Sequence, residues 1–95
     1  MSLEDLMRKY RESIPSKLEQ IARLIDEYEH SPSKENLAAL KLAVHKLAGS
    51  AGTYGYPEAS RLCKNLESQI DKGESRLPLS LFYQQLTRSF SQTTH

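Results

Sequence analysis

The sequence holds a single cysteine, Cys63, so no disulfide can close within the chain, which fits a reducing compartment. Glycine and proline number four each and sit in a few places only, as suits a helical protein with short connections. No apolar run approaches the roughly 18 residues of a membrane span. The start, Met1-Ser2-Leu3-Glu4-Asp5, lacks the basic flank and apolar stretch of a secretory signal. A cytoplasmic protein with no membrane partner is the default expectation. A net charge of +1 leaves no bulk reason to expect nucleic-acid binding. Sustained alternation of apolar and polar residues is missing, so no strand is expected, and no internal repeat or low-complexity tract interrupts the chain.

What is present is helical periodicity. The 95 residues, 38% of them hydrophobic, suffice for one small domain with one core, expected over residues 1–95 with 91–95 as a frayed tail. A leading stretch from Leu3 to Ser13 places Leu3, Leu6, Met7 and Tyr10 on one side. Pro15 is expected to interrupt it and open the next helix, with Ser16 and Glu19 at capping-box spacing. Leu18, Ile21, Ala22, Leu24, Ile25 and Tyr28 form the stripe of that helix, and Ser31-Pro32-Ser33 ends it and caps the following one. From about Ser33 to Tyr54, Leu37, Leu40, Val44, Leu47, Ala51 and Tyr54 recur at three- and four-residue spacing. Gly55 and Pro57 mark the next boundary. Beyond it Ala59, Leu62, Cys63, Leu66 and Ile70 share one stripe, up to Lys72-Gly73. After Pro78 come Leu79, Phe82, Tyr83, Leu86 and Phe90. The expected fold is all-α: an antiparallel, up-and-down four-helix bundle with a short extra N-terminal helix.

The stretch from Ser33 to Tyr54 carries the functional argument. At about 100° per residue, His45 falls roughly 130° from the middle of the apolar arc and faces solvent if that arc faces the core. Its helix-surface neighbours are Ala38, Lys41, Leu42, Ala48, Gly49 and Gly52. Most of these are Ala or Gly, so the histidine stands on a low, flat surface with a cation one turn before it. A neutral imidazole nitrogen is a competent nucleophile near neutral pH. Gly49 and Gly52 each cost the helix roughly 1 kcal/mol against Ala, and close approach of another protein is a reason to keep them. Packing against a neighbouring helix is the weaker alternative, since both lie on the side of His45. Ala38, Leu42, Ala48, Gly49 and Gly52 are thus candidate docking contacts.

The run His45-Lys46-Leu47-Ala48-Gly49-Ser50-Ala51, followed by Gly55, Leu62-Cys63 and Leu66-Glu67, resembles the signature of the histidine-containing phosphotransfer (HPt) family. The resemblance implies a phosphorelay carrier: a phosphoryl group accepted and donated on His45, with receiver domains of response regulators or a hybrid sensor histidine kinase as partners. It implies that Glu67 hydrogen-bonds and orients the imidazole, and that Gly49 keeps the approach open. It implies no cofactor on this chain, with Mg²⁺ held by the partner receiver. One position departs from the pattern. Ala48 stands where the family commonly has lysine, leaving Lys46, Lys64 and Lys41 as candidates to neutralise the phosphate, and leaving a docking module without phosphotransfer as the alternative.

Other chemistry finds little support. Cys63 lies on an apolar stripe and reads as a small core residue. His30 and His95 have no metal-ligand spacing with His45, so no metal site is expected. Gly49-Ser50-Ala51-Gly52 follows no strand and precedes no Gly-Lys-Ser/Thr, so it is not a phosphate loop, and no ATP site is expected.

Overall fold

The computed structural model describes residues 1–92. They form α1 (Leu3–His30), α2 (Lys34–Thr53), α3 (Pro57–Asp71) and α4 (Leu79–Gln92). Neighbouring helices pack in a ring, α1 on α2, α2 on α3, α3 on α4 and α4 back on α1, which is an up-and-down four-helix bundle. The centre of the ring is filled by Leu40, Val44, Ala51, Ala59, Cys63 and Leu86, all fully enclosed.

The N-terminal piece is helical, but it is not a separate helix. α1 runs through Pro15 without a break and starts from a capping box at Ser2, whose Oγ accepts the Asp5 N–H at 3.1 Å. The Ser16–Glu19 spacing lies inside the helix and starts nothing. A proline in a helix interior costs about 3 kcal/mol, because it lacks the N–H and its ring crowds the preceding turn. Against that cost stands an apolar phase that continues across it. Tyr10, Ile14, Leu18, Ile21, Ile25 and Tyr28 follow one another at spacings of three and four, with four of them buried and the other two packed on the core. Each buried side chain of this size contributes about 1.5–3 kcal/mol, so keeping both halves on one axis outweighs the proline, whose ring points to solvent.

At 28 residues and about 1.5 Å per residue, α1 spans the 42 Å long axis of the molecule. Its first half reaches the turn between α2 and α3. There Tyr10 stacks on Tyr54 at 4.5 Å between ring centres, its hydroxyl hydrogen-bonds with Ser50 Oγ at 2.9 Å, and Tyr56 continues the cluster to Phe90 of α4. Leu3 and Leu6 remain exposed.

The helix ends follow local chemistry. Ser33 Oγ caps α2 by accepting the Asn36 N–H at 3.1 Å. Gly55, at φ +88°, takes the left-handed conformation that turns the chain after α2, and Pro57 opens α3 where its missing N–H costs nothing. α4 continues through Gln92, so Ser91 is helical; the rest of the tail expected to fray, 93–95, lies outside the described residues. Among the described residues, no helix is long and apolar enough to cross a membrane.

Candidate functional site

α2 and α3 run antiparallel, and three contacts fix their register. Lys41 pairs with Asp71. Four residues on along α2 and four back along α3, His45 meets Glu67. Further along the seam, Ser60 Oγ donates to the Ala48 carbonyl at 2.7 Å. A Cβ added at Gly52 would lie only 3.2 Å from the same Ser60 Oγ, so the helices are in tight contact here. On α3 the residues facing this seam are Ser60, Glu67 and Asp71, spaced along one edge of the apolar stripe.

His45 is on the solvent side of α2, with 65% of its side chain exposed. Its Nδ1 lies 2.8 Å from Glu67 Oε2, and the Glu67 side chain is itself only 22% exposed. A carboxylate only accepts hydrogen bonds, so Nδ1 is the donor and carries the ring proton. That leaves the Nε2 lone pair free and fixes the plane of the imidazole. An exposed pair of this kind adds little to stability, about 0–1 kcal/mol; its effect is on geometry.

The surface around the ring is uneven. Ala38 and Leu42 are exposed, Leu42 to 54%, and Leu42 borders a groove between α1 and α2 lined also by Lys17, Leu24, Ala43 and Lys46. Gly49 is open: a Cβ there would meet nothing within 4 Å. Two residues differ from expectation. Ala48 is buried, at 4% exposure, and offers no docking surface, because α2 is flanked by α3 as well as α1 and its covered arc is wider than its stripe of large apolar residues. Gly52 is exposed, but the absence of its side chain makes room for Ser60, which is the packing role that the sequence made the weaker alternative.

The lysines also separate. Lys41 is engaged by Asp71, whose hydrogen bond and charge raise the lysine's pKa. Lys46 lines the groove towards α1. Lys64 is exposed in a shallow depression with Gly52, Ser60 and Arg61, the last of which pairs with Glu58. Ser60 and Asp71 were not singled out from the sequence. The signal available was spacing along the edge of α3, Ser60 four residues before Lys64 and Asp71 four residues after Glu67.

Away from the seam, His30 Nδ1 lies 2.8 Å from the Asp26 carbonyl oxygen of its own helix, and its pKa is raised by that contact. Cys63 is enclosed, and burial pushes its thiol up to about 12, so it is neither a ready nucleophile nor a ligand. Among the described residues no group of three or more His, Cys, Asp or Glu is placed to hold a metal ion.

Compared with known proteins, the chain matches the family model described as the Hpt domain over residues 5–93. No curated protein and no solved structure matches it. The matched span takes in all four helices almost entirely, together with both sides of the α2–α3 seam. The chain therefore belongs to the Hpt domain family, and so to the phosphotransfer proteins of phosphorelay signalling.

Proposed function

We propose that the chain, as one module over residues 1–95, carries a phosphoryl group on Nε2 of His45, accepting it from a receiver-domain aspartate and returning it to another. The observation that carries this reading is the exposed imidazole whose Nδ1 is 2.8 Å from Glu67 Oε2. In the transfer, the Nε2 lone pair attacks phosphorus, the N–P bond forms, and the P–O bond of the acyl phosphate breaks. The receiver's carboxylate leaves. The proton on Nδ1 stays between the ring and Glu67, which supports the positive charge that the ring gains. Because an acyl phosphate is exchanged for a phosphoramidate, the step needs no ATP, and the Mg²⁺ it uses belongs to the receiver. Gly49 and the exposed Ala38 and Leu42 leave room for the rim of a receiver to come down on the ring. A hybrid sensor kinase bearing a receiver fits the same surface.

The test is incubation with Mg²⁺ and phosphorylated receivers. Label should appear on the wild-type chain, acid-labile and base-stable, and vanish in His45→Gln while His30→Gln and His95→Gln keep it. Label that persists in His45→Gln overturns the site. The buried alanine at position 48, where the family commonly has lysine, favours one alternative: a module that docks on a receiver without transfer. Binding of a receiver with no labelling at all would select it.

A further inference from the structure

A phosphoryl group on His45 would bring about two negative charges to a ring already beside the Glu67 carboxylate. The imidazolium balances only part of this, so a cation within reach is needed. Three lysines surround the site, and the α2–α3 register discriminates between them. Lys41 is held by Asp71, beyond Glu67. Lys46 lines the groove towards α1, on the opposite flank from Glu67. Lys64 lies on the α3 edge that faces α2, between Ser60, which bonds the Ala48 carbonyl, and Glu67, which bonds His45. Three residues back from Glu67 on α3 correspond to three residues on from His45 on α2, so Lys64 stands level with Ala48 and Gly49. Among the described residues Lys64 makes no ion pair or side-chain hydrogen bond. The way across is open, since a Cβ at Gly49 would meet nothing within 4 Å. From Lys64 to Glu67 the rise along α3 is about 4.5 Å, within the span of a four-carbon stem.

We propose that Lys64 reaches across the seam over Gly49 and binds the phosphoryl group on His45. This rests on the reading of His45 as the phosphoryl acceptor. It supplies from α3 the charge that a lysine at position 48 would supply from α2. It also gives Gly49 a second function, because a side chain there would stand in the path of the lysine.

The test uses the full chain and phosphoramidate as the donor, so that no partner protein enters. The Nε2 lone pair attacks the donor's phosphorus, the donor's P–N bond breaks, and ammonia leaves with its protons. Labelling rate and the pH titration of the bound phosphoryl group are followed by phosphorus NMR in the wild type, Lys64→Gln, Lys64→Arg and Lys46→Gln. Lys64→Gln should label about tenfold more slowly, and its phosphoryl group should titrate at higher pH, because a neighbouring cation favours the dianion. Lys64→Arg should retain both properties, and Lys46→Gln should change neither. All four should melt alike, since both lysines are exposed. Wild-type behaviour in Lys64→Gln, or the loss appearing in Lys46→Gln instead, overturns the assignment. A wild type that takes no label on His45 brings down the acceptor reading itself, which is a different failure and visible as such.

Discussion

Gly49 and Gly52 share a helix and a side of it, yet they are glycines for opposite reasons. At Gly52, itself exposed, the missing side chain would face α3, where Ser60 fills the space and α2 and α3 touch. At Gly49 it faces outward onto open solvent. The seam is thus closed at one level and open one turn away, and the closure sets the opening. With Ser60 seated against Gly52 and the Ala48 carbonyl, Glu67 arrives two turns further along α3 at hydrogen-bond distance from His45. A glycine in a helix can therefore hold a site together or keep it accessible, and only its surroundings tell which.

The largest effect should come from the residue that the closed level positions. Glu67→Ala removes the acceptor for Nδ1–H, frees the ring to rotate and change tautomer, and should slow transfer from a receiver on the order of 10- to 100-fold. The fold should survive, because the pair is exposed and worth about 0–1 kcal/mol. Unchanged single-turnover rates would remove Glu67 from the mechanism. Next, Gly52→Leu forces a side chain into the space of Ser60. Overpacking of this kind costs about 1–3 kcal/mol, against about 1 kcal/mol gained in helix propensity. Chemical denaturation should show a net loss, accompanied by loss of the His45 Nδ1–H signal in proton NMR. An unaltered signal would show that the closed level does not govern the open one.

Cys63, enclosed in the core, is a third position to set beside the two glycines. Burial first, and then the charge of Glu67, push its thiol from an ordinary 9.0 up to about 12. Above about pH 9 the unfolded chain releases this proton while the folded chain keeps it. The stabilisation is complete below pH 9 and should fall by about 1.4 kcal/mol per pH unit as the pH rises towards the folded value. Tyr10, raised chiefly by burial, adds to the same alkaline loss. Unfolding measured between pH 8 and about pH 11 should show the decline, and Cys63→Ala should make it shallower; an equal slope would mean that the thiol titrates freely. The smallest stability effect belongs to the open level. Gly49→Gln should stabilise the helix by about 0.5 kcal/mol while lowering transfer, since it plants a long side chain beside the ring. Transfer at the wild-type rate would mean that nothing approaches over Gly49.

α2 was legible because its large apolar residues recur without interruption and leave His45 on the other side. The arc that they mark is narrower than the arc the fold covers. A helix flanked by two neighbours also buries small residues at the margins, so Ala48 goes under and Gly52 meets Ser60, although both read as surface. Pro15 misled in the opposite direction. It is a strong local stop, and the apolar phase running through it from Tyr10 to Tyr28 is a longer-range signal that prevails once the bundle forms. The pairing of His45 with Glu67 could be anticipated from family resemblance and from the edge position of Glu67. The register that makes Lys64 level with Ala48 could not, because it depends on where the turn after α2 releases the chain.

Every residue of the seam belongs to the continuous stretch from Lys34 to Asp71. The ring of helices is completed by α1 and α4, which are distant in sequence and contribute no group to the His45–Glu67 pair. Opening at that closure, where α4 parts from α1, separates elements that lie outside the hairpin of α2 and α3. The chemistry is thus carried by a single helical hairpin, built from contacts of short loop length, and the remainder of the bundle serves as its solvent-excluding backing.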